Sequence, residues 1–247
     1  MILEICVDSV ESAINAETGG ADRLELCAAL EIGGITPGPG LLESVIANVN
    51  IPVYSMIRPR GGDFLYSDAE FEVMRRDIDF AGETGAAGVV LGMLMADGSV
   101  DFERTAYLVE YASPMPVTFH RAFDRASDPF MALEDIISAG AVKLLTSGQC
   151  NSAGEGVNLL KKLIITAGER IIIMPGAGLN RENIERVIGS TGAREVHLTG
   201  SIMVESGMLF RRPGIGKKLS GNQEEKYFKQ VTDSRMVEEI RSIINRL

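Results

Sequence analysis

Short apolar runs alternate with helix-compatible stretches along the whole of this 247-residue chain. Runs of strand length fall near 2–7, 23–27, 53–58, 88–92, 116–120, 142–146, 170–174 and 194–199. Helical stretches fall near 9–19, 39–48, 68–85, 101–112, 129–139, 155–167 and 180–190, and a final helix near 233–246 follows. Strand–helix alternation calls for a parallel sheet with helices packed outside it. Eight units suit closure into a (β/α)8 TIM barrel, and the length suits one domain over 1–247. A doubly wound open sheet is the structural alternative, because periodicity does not report closure. The segment 205–232 breaks the rhythm. It holds Arg211, Arg212, Pro213, Gly214, Gly216, Lys217 and Lys218, and reads as an irregular arm: a solvated loop, a subunit contact or a pocket rim.

Punctuation agrees with the units. Glycine-bearing turns separate helices from the strands that follow, and Ser9, Ser67 or Asp68, Asp101 and Asn180 stand where N-caps are expected. The net charge is −10 and the pI is near 4.8. That balance argues against broad binding to nucleic acid or anionic membranes, but leaves room for a locally basic pocket. Met1 leads straight into a strand-like run, so no signal peptide is expected, and no apolar run reaches membrane-span length. The three cysteines, Cys6, Cys27 and Cys150, are odd in number and form no CxxC pair. They read as reduced thiols of a cytoplasmic protein, without a structural zinc site.

Side chains of a strand alternate between its two faces. Leu3, Ile5 and Val7 make one apolar face in the first strand, which sends Ile2, Glu4, Cys6 and Asp8 inward. The same parity turns Arg23, Glu25 and Cys27, then Tyr54, Met56 and Arg58, then Thr118 and His120 toward the barrel axis. Lys143, Leu145 and Ser147 follow, and Glu195, His197 and Thr199 complete the set. The expected interior is therefore polar. Arg23, Lys143 and Glu195, at strand starts, belong to a structural ion-pair layer at the bottom. Buried Glu4 and Glu25 need cationic partners, and Arg58 or Arg60 is the expected supply.

Three chemistries fit the upper end. Cys6 and Cys27 end adjacent strands on one face, within reach of a shared soft ion such as Cu(I), or are inert core thiols. His120, with Glu4 and Glu25, could serve as an acid/base group, while Arg58, Arg60 and Arg121 could grip a small carboxylate or phosphate. Gly176, Gly178 and Asn180 after strand seven, with Ser201 after strand eight, occupy the place where barrels often bind phosphate; a tight turn is the plainer reading.

The chain resembles the CutC family, named for copper homeostasis. The segments that carry the resemblance are Leu3-Glu4-Ile5-Cys6, Gly20-Ala21-Asp22-Arg23-Leu24-Glu25-Leu26-Cys27, Gly33-Gly34-Ile35-Thr36-Pro37 and Ile57-Arg58-Pro59-Arg60-Gly61-Gly62-Asp63-Phe64. Thr118-Phe119-His120-Arg121-Ala122-Phe123-Asp124 and Leu145-Thr146-Ser147-Gly148 add to it, and Gly176-Ala177-Gly178 and Glu195-Val196-His197 extend it. The resemblance implies a cytoplasmic (β/α)8 barrel that assembles as a homo-oligomer, a dimer or tetramer, and an association with copper. It places Cys6 and Cys27 where the family's candidate Cu(I) thiols lie. An enzyme acting on a small anionic or phosphorylated metabolite, or a barrel acting through oligomer contacts, are the competing expectations. Two segments depart from the family pattern: Gly92-Met93-Leu94-Met95-Ala96-Asp97-Gly98, rich in methionine, and Leu198-Thr199-Gly200-Ser201.

Overall fold

Alternating faces on eight short strands produce the architecture in a computed structural model, which describes residues 1–210 and 227–247. The strands are β1 (Ile2–Val7), β2 (Arg23–Leu26), β3 (Val53–Met56), β4 (Gly88–Leu91), β5 (Val117–Phe119), β6 (Lys143–Thr146), β7 (Ile172–Pro175) and β8 (Glu195–Leu198). All pair in parallel, in the order β7-β6-β5-β4-β3-β2-β1-β8. The two end strands lie side by side and bring the sheet round into a nearly closed barrel. Helices α1 (Val10–Thr18), α2 (Pro39–Asn48), α3 (Asp68–Thr84) and α4 (Phe102–Tyr111) cover the outside. So do α5 (Pro129–Ser138), α6 (Val157–Ala167), α7 (Ile184–Thr191) and α8 (Ser234–Ile244). This is the (β/α)8 barrel expected from the alternation.

Parity sorts the apolar side chains into two layers. The outer one joins Leu3, Ile5, Leu24, Leu26, Val89, Leu91, Val117 and Phe119 to the buried faces of the helices. The inner one is small: Cys6, Cys27, Tyr54, Met56 and Val90. The rest of the interior is polar, and Glu4, Arg23, Glu25, Lys143, Glu195 and His197 are all buried.

Caps fix the helix starts. Ser9 accepts the N–H of Ser12, Asp101 that of Arg104, and Ser67 forms a reciprocal capping box with Glu70. Asn180 departs from expectation. Its side chain accepts from the N–H groups of Glu182 and Asn183, closing a turn, and α7 begins only at Ile184. The segment 205–232 also departs. Its flanks belong to an antiparallel ribbon of β9 (Ser201–Glu205) and β10 (Phe228–Thr232). The expected basic stretch from Arg211 to Lys218 lies outside the described residues. Among the described residues no helix is long and apolar enough to cross a membrane.

Candidate functional site at the barrel mouth

Four ionisable groups form the floor. Register sets Glu4 opposite both Arg23 and His197. Arg23 donates through Nε to Glu4, and through Nη2 to Glu195 Oε2 at 2.5 Å. His197 Nδ1 lies 2.7 Å from Glu4 Oε1, and its Nε2 lies 3.9 Å from Glu25 Oε1. Burial alone would raise the Glu4 carboxyl, but the hydrogen bond and charge of His197, then Arg23, hold it below the ordinary range. Burial opposes charge on His197 as well. Glu25, Cys6 and Glu4 overcome it and lift the imidazole well above its usual value, so it is an imidazolium at neutral pH. The partners expected for Glu4 were Arg58 or Arg60; the partners found are Arg23 and His197. Lys143 extends the layer with a contact to Tyr54 Oη at 3.4 Å.

Above the floor sit the two thiols. Cys6 Sγ and Cys27 Sγ are 3.7 Å apart, both buried and both free. Each thiol also reaches Glu25 Oε1, at 3.3 Å and 3.6 Å. The hydrogen bond with Cys27, then burial, push the Cys6 thiol far up. The Cys6 contact pulls Cys27 down, but burial and the Glu25 charge push it up to about 11. Both are thiols, not thiolates, at neutral pH. Burial also raises Glu25. Cys6, Glu25 and Cys27 bring their ligand atoms within 4.8 Å of one another, as do Glu4, Glu25 and His197. Gly34 lies against the pair with φ +79°, and a Cβ there would stand 2.9 Å from Cys27 Sγ. This close approach is what the Gly33-Gly34 motif allows. Cys150 is exposed and apart from the pair.

The mouth opens above Cys6 as a cavity of about 290 Å³. Glu25, Arg58, His120, Arg121 and Gly178 line it together, as do Met56, which parity turns inward, and Phe64, to which the motif reading gave no role. Gln230 of the ribbon reaches the rim. Arg58 donates to the carbonyls of Gly34 (2.8 Å), Ile32 and Gly62 (both 3.2 Å). His120 Nδ1 accepts the Ala122 N–H, and burial, then the Arg58 charge, push its pKa down to about 3. Arg121 is tied to Asp124 at 2.8 Å and to Ser147 Oγ at 3.3 Å.

Other expected residues lie elsewhere. Arg60, beyond Pro59, turns outward to Glu70 (2.5 Å) and Asp63 (2.9 Å), at the start of α3. Gly176 sits beneath the rim, where a Cβ would meet Leu145 Cδ1 at 2.5 Å and His197 at 3.3 Å. Asn180 is exposed on its own turn, and Ser201 bonds Thr199 and Gln230 beside the cavity.

A family model described as the CutC family matches residues 1–202. The chain belongs to the CutC family. Among CutC relatives, a human protein described as "Copper homeostasis protein cutC homolog" is 48% identical over 246 residues, covering 100% of this chain and 90% of that protein. A CutC protein of Chromobacterium violaceum is 47% identical over 245 residues, covering 99% and 98%. The CutC structure from Streptococcus agalactiae superposes with a TM-score of 0.77 at 32% identity, over 81% of this chain and 98% of that one. Thiamine phosphate pyrophosphorylase from Pyrococcus furiosus, at 14% identity and TM-score 0.60 over 99% of this chain and 96% of that one, shares the barrel fold. The family match thus spans β1 to β8, the strands that carry the floor and the thiol pair, and stops short of β10 at the rim.

Proposed function

We propose that this chain is a copper-homeostasis protein that binds Cu(I) through Cys6 and Cys27 in the reducing cytoplasm. The observation that carries the reading is the 3.7 Å separation of two free, buried sulfurs beside an open cavity. Two metal–sulfur bonds of about 2.3 Å span about 4.6 Å when collinear, so both thiolates reach one ion at a bent angle. A soft thiolate pair selects a soft ion such as Cu(I) over hard divalent cations. Glu25, hydrogen-bonded to both thiols, is placed to accept a proton as they ionise or to supply a third ligand. The names of the human and mouse relatives support the copper role.

The test is an anaerobic Cu(I) competition titration against a coloured chelator. The wild type should take up one Cu(I) per chain, and Cys6→Ser/Cys27→Ser should lose at least 100-fold in affinity, about 2.7 kcal/mol. Full affinity in the double variant would exclude the site.

A further inference from the structure

Among the described residues Arg58 is a buried cation without a paired carboxylate. Its side chain is 5% exposed, and its three hydrogen bonds all go to backbone carbonyls. Among the described residues no carboxylate lies within ion-pair distance of it, whereas Arg60 holds two and Arg121 one. Its Nε is buried and makes no hydrogen bond to the described residues, and the polar side chain that interacts with the guanidinium beside it is the neutral Tyr66 hydroxyl. Beside it, His120 repeats the pattern. Nδ1 accepts from Ala122, so the ring proton is on Nε2, and that atom too is buried with no acceptor. The Phe64 ring stands 5.0 Å from the Arg58 guanidinium carbon and 5.0 Å from the His120 ring centre, so it holds both donors to one side. Both residues line the mouth cavity. Glu25 lines the same cavity, and its Oε2 is a buried acceptor with no donor among the described residues.

A buried donor left unmade costs about 1–3 kcal/mol, and an uncompensated buried charge costs more. Two such donors and one such acceptor around a single cavity describe the complement of a ligand. We propose that the barrel mouth binds a small organic anion, with its carboxylate or phosphate oxygen on Arg58 Nε and His120 Nε2. A hydroxyl or amine of the same molecule donates to Glu25 Oε2. The loop after β7 offers a second grip, since the N–H groups of Ala177 and Gly178 make no hydrogen bond to the described residues. At about 290 Å³ the cavity suits a metabolite-sized ligand. This site goes beyond the copper reading and does not depend on it: the two share Glu25, but the anion's own donors, Arg58 and His120, are no part of the thiol site.

The experiment is calorimetric titration of metal-free protein with four probes: glycolate, inorganic phosphate, 3-phosphoglycerate and neutral glycerol. At least one anion should bind while glycerol does not. A carboxylate-only response assigns the head group as carboxylate, and a response confined to the phosphorylated probes assigns phosphate. Arg58→Met should weaken the binding anion at least tenfold. His120→Phe, which removes Nε2–H without changing charge, should do the same and covers the case where Arg58→Met does not fold. Arg60→Met should bind like the wild type. Because the protein is metal-free here, the result is separate from the Cu(I) titration, so failure of this site and failure of the copper site are distinguishable. No heat with any anion up to 10-millimolar order (~10 mM, far above the usual range for a metabolite site) would overturn the proposal. Unchanged affinity in both the Arg58 and His120 variants would also overturn it.

Discussion

Replacing Arg23 by Met removes the guanidinium that joins two strands of the floor. Arg23 bonds both Glu4 and Glu195, and all three side chains are under a tenth exposed. Methionine fills much of the same length, so the change removes charge and hydrogen bonds more than volume. Breaking a buried pair by deleting one partner costs about 3–5 kcal/mol. For a chain of this size each kcal/mol shifts Tm by about 2–4 °C, so Arg23→Met should melt roughly 6–20 °C lower at pH 7. The pH dependence gives the mechanism. In the wild type Glu4 is held below the ordinary range by His197 and Arg23. Its contribution is therefore present above the unfolded value and is lost only as pH falls through the lower folded value. In Arg23→Met the stranded carboxylates are relieved by taking up protons, so the deficit should shrink at pH 5. Adding Glu195→Gln to Arg23→Met should recover part of the loss by removing one stranded charge. Thermal and urea unfolding followed by circular dichroism at both pH values measures all of this. A deficit below about 1 kcal/mol, the scale of an exposed pair, or one equal at pH 5 and 7, would refute a buried ionic floor.

Three further outcomes are expected. Apparent Cu(I) affinity should rise steeply with pH, by up to about 100-fold per unit, because both thiols are held protonated above neutrality and must each release a proton; a pH-independent affinity between pH 6 and 8, after correction for the chelator, contradicts this. Gly34→Ala should cost about 1–2 kcal/mol from its left-handed backbone and weaken Cu(I) binding by displacing Cys27, checked by urea unfolding and the same titration. Ser67→Ala, which removes the α3 cap, should cost about 1 kcal/mol in urea unfolding and leave Cu(I) affinity unchanged.

Strand parity carried most of the interior. Leu3, Ile5 and Val7 set one face of β1, and that decided which way Glu4 and Cys6 point; the same logic held for Arg23, Glu25, Tyr54, Lys143, Glu195 and His197. What parity does not carry is the reach of long side chains past strand ends. Arg58 and Arg60 are two residues apart, yet one bonds the Gly34 carbonyl at the mouth and the other Glu70 of α3, with only Pro59 between them. Asn180 and Ser201 were expected at a phosphate grip, but local turn and ribbon bonds take up their side chains. The β9–β10 ribbon was hidden because its strands lie at the two ends of a long polar insertion, far apart in sequence.

X-ray absorption at the copper edge of the Cu(I)-loaded protein tests the central claim most directly. Two sulfur scatterers per copper at about 2.3 Å, near the thiolate bond length of similar sites, with both lost in Cys6→Ser/Cys27→Ser, is the result expected. A shell of nitrogen and oxygen alone, or sulfur scattering that survives in the double variant, would contradict it.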